Sequence, residues 1–120
     1  MRGTTEIKRT ELGCPGHFIG VRDCVFRRHT QIGERFRVST VGDYSPRGKR
    51  ERIGAGQNSY FETMVFNTVP HPSPGNEGCG CRQVESYSEI DSMRYATAGE
   101  AQAGHEAMVE KYMALALEGR

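Results

Sequence analysis

Alternating apolar and polar positions mark two β-strands in the middle of the chain. In RFRVSTVG, Phe36, Val38 and Thr40 fall on one face of an extended backbone, and the residues between them fall on the other. In YFETMVF both alternating sets are mostly apolar, which predicts a central strand of a sheet. HFIGVRDCVFRR is rich in Val, Ile and Phe and is a third strand candidate, and VESYSEI is a candidate for a short edge strand.

A C-terminal helix is the most clearly marked element. Thr97 and Glu100 form a capping box, in which the two side chains each bond a backbone amide that the first turn of a helix leaves without a partner. Side chains suited to a packed face then recur at spacings of four and three: Ala101, His105, Met108, Tyr112 and Leu115. We therefore predict an α+β fold, an antiparallel sheet of three to five strands with one C-terminal helix packed on it.

The chain is long enough for one hydrophobic core and too short for two. Residues 1–12 are polar and aperiodic, and we expect a flexible N-terminal arm there. Residues 13–120 then form a single α+β domain with long loops at 43–58 and 68–83, where prolines and glycines interrupt the periodicity. Loops of this length inside a compact domain are typically either functional or disordered.

The composition indicates a thin core, because only 36% of the 120 residues are hydrophobic, Trp is absent and glycine occurs 15 times. The net charge of +1 hides a basic middle and an acidic C-terminal third. Eight basic residues of the middle are candidates for contact with nucleic acid or another partner: Arg27, Arg28, Arg35, Arg37, Arg47, Lys49, Arg50 and Arg52. The alternative is that these charges are solvated or are neutralised by the acidic third, within the fold or across a homodimer.

No stretch reaches the ~18 uncharged apolar residues that a membrane span requires, and the first residues lack the apolar segment of a secretory signal. We therefore expect a cytoplasmic protein with no membrane partner. In a reducing compartment, the four cysteines are more often thiols or metal ligands than disulfides.

Zinc is the sharpest chemical hypothesis. Cys14 and His17 bracket a C-P-G-H turn, and Cys79 and Cys81 form C-G-C, so two glycine-rich clusters offer the four ligands of a tetrahedral site. Neither spacing is that of a standard zinc finger. The alternative is that these thiols coordinate nothing.

The sequence offers little support for catalysis. Cys24 with His17 or His105 could be drawn as a nucleophile and its base, but no G-x-S-x-G, H-E-x-x-H or P-loop signature accompanies them. We interpret Cys24 as a small buried residue and His105 as a core histidine with one hydrogen-bond partner. A non-enzymatic protein is therefore favoured over an enzyme.

Four blocks occur in a recognisable order: GHFIGVRDCVFRRHT, VSTVGDY, YFETMVF and MRYATAGEAQAGHEAMVEKY. They span most of the chain, which resembles a group of small proteins encoded by tailed bacteriophages and prophages. The resemblance implies a phage-encoded protein that acts in the cytoplasm of an infected bacterium, and it implies no particular activity.

Three functions fit these features. The first is a non-enzymatic accessory protein that binds a host or phage macromolecule, with a role in host takeover or in evading defence. The alternative is a small zinc-binding protein associated with nucleic acid, in which the Cys and His clusters hold the metal and the arginines contact phosphate. The third is a minor component of the virion.

Overall fold

The computed structural model describes residues 7–12, 24–45, 48–53, 59–69, 83–85 and 88–118. Six strands and one helix lie in this part of the chain: β1 (Arg9–Leu12), β2 (Cys24–Ile32), β3 (Phe36–Tyr44), β4 (Phe61–Val69), β5 (Gln83–Val84), β6 (Asp91–Tyr95) and α1 (Ala98–Glu118). All strand pairings there are antiparallel. The main sheet has the order β1-β2-β3-β4-β6, and the two-residue β5 pairs with the end of β4. The predicted α+β fold, with one C-terminal helix on an antiparallel sheet, is confirmed.

The β2–β3 hairpin is closed by a three-residue turn. Gly33 opens the turn with a φ of +53°, a left-handed conformation that suits glycine because glycine has no Cβ. The amide of Arg35 then donates to the carbonyl of Ile32 at 3.3 Å. This turn sets the register in which Ile32 lies opposite Phe36, with both side chains on the same face of the sheet.

Helix α1 packs on one face of the sheet, which we call the helix face, and the opposite side is the outer face. The apolar core lies at this contact and consists of four sheet and four helix residues: Ile32, Phe36, Val38, Val65, Met108, Val109, Tyr112 and Ala116. The rings of Phe36 and Tyr112 meet edge to face, with 4.9 Å between their centroids. Within the described ranges, no helix has the length and apolar character needed to cross a membrane.

The start of α1 follows the prediction with one change. The amide of Glu100 donates to the Thr97 hydroxyl at 3.1 Å, as in a capping box. The Glu100 carboxylate, however, accepts from the amide of Ala96 at 3.0 Å.

The prediction that Leu115 packs on the sheet is wrong, since it is 40% exposed. Ala116 is buried instead. It lies four residues after the buried Tyr112, which places it within about 40° of Tyr112 around the helix axis, whereas Leu115, three residues after Tyr112, lies about 60° away on the other side.

Two strands lie where the apolar pattern does not mark them. Residues 9–12, expected within a flexible arm, form β1 and pair with β2, so that expectation is wrong for these four residues. Among the described residues of VESYSEI, expected to form an edge strand, only Val84 lies in a strand, β5, and the edge strand β6 begins directly after this segment, at Asp91. Both strands, β1 and β6, are short, mostly polar in sequence and at the edges of the main sheet, so periodicity gives no signal for them.

The strands also extend into both predicted loops. β3 continues to Tyr44 and β4 to Val69, and β5 begins at Gln83. Inside the first loop, the amide of Glu51 donates to the carbonyl of Tyr44 at 2.8 Å, so this part of the loop is tied to the end of β3.

Candidate functional site

The eight basic residues predicted to contact a partner do not form one surface. Arg28 lies on the helix face, where its Nη2 is 3.0 Å from a carboxylate oxygen of Glu11 and 3.0 Å from one of Glu106. Arg37 is fully buried, and its Nη2 donates to Oε1 of Gln31 at 3.3 Å. Both arginines therefore serve the fold, and Arg28 is neutralised within the chain by an acidic residue of α1.

The other described members of the basic set are exposed: Arg27, Arg35, Lys49, Arg50 and Arg52. Arg47 lies outside the described residues. The guanidinium of Arg50 lies 4.0 Å from the ring centroid of Tyr60, and its Nε is 2.7 Å from a carboxylate oxygen of Asp43. Arg50 thus covers a ring face on which a nucleobase would otherwise stack.

Four neighbouring strands carry one row of side chains across the outer face: Arg27, Val41, Glu62 and Arg94. Val25 and Met64 flank this row, because strand residues two apart share a face. Val25 is 76% exposed, both arginines are exposed, and Val41 and Met64 are half-buried. We use the name outer-face patch for five of these residues: Val25, Arg27, Val41, Met64 and Arg94.

A buried carboxylate belongs to the same row. Glu62 is 4% exposed, and its Oε2 lies 3.0 Å from Nε of Arg94. Burial raises the pKa of Glu62, and the positive charge of Arg94 opposes that rise. A ligand that drew Arg94 away would therefore also favour protonation of Glu62.

On the helix face, His105 is fully buried and both of its ring nitrogens have threonine partners. Nε2 lies 2.8 Å from Oγ1 of Thr30, and Nδ1 lies 2.6 Å from Oγ1 of Thr40. Burial, and then the charge of Arg28, lowers the pKa of His105 to about 4. The prediction of a core histidine is confirmed, with two partners instead of one.

These contacts continue beyond both threonines. The hydroxyl of Thr30 donates to Oε1 of Glu11 at 2.9 Å. On the other side, Oγ1 of Thr40 lies 2.6 Å from Oγ1 of Thr63, which accepts from the Tyr95 hydroxyl at 3.1 Å. We call this continuous series the helix-face chain: Glu11, Thr30, His105, Thr40, Thr63 and Tyr95.

A cluster of charges lies around the Glu11 end of the helix-face chain. Arg9 donates to both carboxylate oxygens of Glu106, at 2.7 and 2.6 Å, and these bonds lower the pKa of Glu106 to about 2. Burial alone would raise the pKa of Glu11, but hydrogen bonds from Arg9, Arg28 and Thr30 outweigh it and lower that pKa. The cluster links β1 to both β2 and α1, which gives this polar strand a physical reason to form.

A second buried histidine lies on the outer face. Nδ1 of His29 is 3.0 Å from Oγ of Ser39, and the two residues are 3% and 6% exposed. Nε2 of His29 has no hydrogen-bond partner among the described residues. Burial, and then the charge of Arg37, lowers the pKa of His29 to about 4. The pair has the residue types of a nucleophile and its base, but burial keeps a substrate from the serine.

The predicted zinc ligands Cys14, His17, Cys79 and Cys81 lie outside the described residues. In the part of the chain that the structure describes, no group of three or more His, Cys, Asp or Glu side chains could hold a metal ion. Cys24 is 5% exposed, which confirms its interpretation as a buried residue.

Sequence reasoning identified His105 but missed the threonines that hold it. Thr40 shares a strand face with Phe36 and Val38, and a hydroxyl on a face that is otherwise apolar indicates a buried hydrogen-bond partner. His105, a polar residue on the packed stripe of the helix, gives the same signal. The sequence therefore contained enough information to predict a hydrogen bond between Thr40 and His105.

Comparison of the chain with protein-family models, with curated protein sequences and with solved structures finds no match.

Proposed function

We propose that this chain is a non-enzymatic binding protein that contacts a macromolecular partner through the outer-face patch. The observation that carries the proposal is the 76% exposure of Val25, which lies two residues from the exposed Arg27 on the same face of β2. Apolar side chains grouped with arginines on a surface are typical of protein interfaces, in which arginine is enriched.

The state of the buried histidines supports binding over catalysis. Both ring nitrogens of His105 are occupied by threonines in the core. His29 and Ser39, whose residue types would suit a catalytic pair, are buried on the outer face. Perturbed pKa values are common at active sites, but structural burial shifts them in the same way.

The chemistry of the patch favours a protein partner with acidic and apolar side chains. Arg27 and Arg94 can pair with carboxylates, while Val25, Val41 and Met64 offer apolar contact. Single-stranded nucleic acid also binds arginine-rich sheets, but it uses open aromatic faces for stacking. Here the ring face of Tyr60 is covered by a guanidinium, so we propose an acidic protein surface instead.

The resemblance to proteins of tailed bacteriophages supplies the context of the proposal. On this basis the protein acts in the cytoplasm of an infected bacterium, and its partner is a host or phage macromolecule. An accessory role, in host takeover or in evading defence, fits a small binding protein better than a metabolic role does.

Affinity capture from lysates of infected bacteria tests the proposal. The patch variant Val25→Glu with Arg27→Gln lowers the net charge by two, and the control Gln102→Glu with Ala114→Glu does the same at exposed positions of α1. We expect the wild type and the control to retain the same partner protein and the patch variant to lose it. Equal capture by all three would contradict the proposal.

Nuclease treatment of the lysate separates the two classes of partner. Capture that survives nuclease supports an acidic protein. Capture of nucleic acid by the wild type at low salt, lost in the patch variant and abolished by nuclease, would overturn the choice of a protein partner while leaving the surface assignment in place.

A further inference from the structure

The helix-face chain has one consistent direction of hydrogen bonding when His105 is neutral. Thr30 has a single hydroxyl proton, and it is donated to the carboxylate of Glu11. Thr30 must therefore accept from His105 at Nε2, which fixes the Nε2–H tautomer. Nδ1 is then an acceptor, so the hydroxyl of Thr40 donates to it.

The same reasoning extends to the other end of the chain. Because the proton of Thr40 is already used, the bond between Thr40 and Thr63 is donated by Thr63. Thr63 then accepts from the hydroxyl of Tyr95, in agreement with the observed bond. Every donor points from Tyr95 towards Glu11, and each threonine hydroxyl both donates once and accepts once.

We infer that the helix-face chain is a proton path that lets His105 take up a proton from solvent while the protein stays folded. Tyr95 is half-buried and lines the groove between β6 and α1, so its hydroxyl is the end of the path nearest to solvent on that side. Thr40 and Thr63 are fully buried and form the interior of the path.

Uptake of a proton proceeds by reversal of three hydroxyls. A hydronium ion gives a proton to the oxygen of Tyr95, and Tyr95 passes its own proton to Thr63. Thr63 passes its proton to Thr40, and Thr40 passes its proton to Nδ1 of His105. The products are water and an imidazolium, and each hydroxyl ends with one proton pointing the opposite way. Thr30 and Glu11 keep their original bonds throughout.

Four charged groups, on β1, β2 and α1, act on the resulting imidazolium. Glu11 of β1 and Glu106 of α1 favour it, while Arg9 of β1 and Arg28 of β2 oppose it. The cost of protonation is therefore electrostatic, since the reversed path still gives both ring nitrogens an acceptor.

His29 provides the contrasting case within the same protein. It is also buried, but its Nε2 has no partner among the described residues. Protonation at that nitrogen would create a buried charged donor that the described residues do not satisfy, which is costly. His29 should therefore exchange its proton slowly, through local opening of the surrounding structure.

Gly104 has a role in this arrangement that its sequence position does not reveal. A Cβ at Gly104 would overlap the ring and hydroxyl of Tyr95. Glycine at this point of α1 therefore lets Tyr95 lie against the helix backbone, where it can bond Thr63.

The test is 15N NMR of the histidine ring nitrogens as the pH is lowered towards about 5, within the range where histidine titrates. We expect neutral His105 as the Nε2–H tautomer, with its neutral and protonated forms in fast exchange. Thr63→Val breaks the path inside the core and should move His105 to slow exchange, because the proton must then wait for local opening. The matched control is Thr68→Val, which removes another buried hydroxyl from β4 and should leave fast exchange unchanged.

Three outcomes would overturn the inference: an Nδ1–H tautomer, slow exchange in the wild type, or fast exchange that persists in Thr63→Val. If that variant fails to fold, Tyr95→Phe replaces it with the same expectation. Its control is Tyr112→Phe, which removes a hydroxyl bonded to Asp91 outside the path.

Discussion

Acidification from pH 7 to pH 5 should destabilise the folded protein, because His29 and His105 are held neutral in its interior. Each has a pKa of about 4 in the fold, against about 6.5 in an unfolded chain. A histidine whose folded pKa is depressed binds its proton more weakly in the folded state. Its contribution to stability is therefore full above pH 6.5 and is lost as the pH falls from there towards 4.

The magnitude follows from proton linkage. At pH 5, each of these histidines is almost fully protonated in the unfolded chain and only about one-tenth protonated in the fold. Integration from pH 7 to pH 5 gives a loss of about 2 kcal/mol for each histidine and about 4 kcal/mol for both. Since small domains are typically stable by roughly 5–15 kcal/mol, this loss is large enough to bring the protein close to unfolding.

Carboxylates contribute differently over this interval. Glu106, with a folded pKa of about 2, loses its stabilising effect only as the pH falls below 4.5. Glu62 acts in the opposite direction, because its raised pKa means that acid favours its folded form. Urea unfolding of Glu62→Gln at the same pH values measures how much Glu62 offsets the loss of unfolding free energy.

Urea unfolding at pH 7, 6 and 5 tests the prediction with the wild type, His29→Asn and His105→Asn. The slope of the unfolding free energy against pH gives the number of protons taken up on unfolding. Near pH 5 these two sites should contribute almost two protons in the wild type and about one in each variant. An unfolding free energy that is constant between pH 7 and 5 would show that the fold does not hold the two histidines neutral. So would a fall of equal size in all three proteins.

Two further predictions concern packing and surface charge. Gly42→Ala should cost about 1–3 kcal/mol of unfolding free energy in urea, because its Cβ would overlap the buried Phe61 ring, whereas Gly99→Ala has open space and should be neutral or stabilising. Equal effects would contradict the packing at Gly42. Glu106→Gln should cost about 1 kcal/mol at low salt and less at high salt, since its ion pairs are partly exposed, and Glu110→Gln should change little. A cost independent of salt would exclude the ion pairs as its cause.

The sequence predicts those parts of the fold that depend on apolar burial. Phe36 and Val38 alternate with residues of the other face and mark β3, and the spacing of Ala101, Met108 and Tyr112 marks the packed side of α1. These signals are local, because a strand or a helix repeats its buried positions at a fixed period. They are sufficient to predict an α+β fold.

The missed features depend on partners that are distant in sequence. β1 forms because Arg9 meets Glu106, 97 residues away, and no local pattern announces that contact. In the same way, the exposure of a basic residue depends on which distant residues pack around it. Arg27 and Arg37 lie on the same face of the sheet, yet one is exposed and the other fully buried.

Calorimetry with the purified partner measures directly whether Val25 and Arg27 on the outer face contact it. The Val25→Glu, Arg27→Gln variant should raise the Kd at least about tenfold, which corresponds to about 1.4 kcal/mol and is typical of a change at the centre of an interface. The Gln102→Glu, Ala114→Glu control should leave the Kd within about twofold of wild type. This corresponds to about 0.4 kcal/mol, within the roughly 0.5 kcal/mol typical of surface substitutions. A Kd unchanged in the patch variant would show that Val25 and Arg27 do not contact the partner.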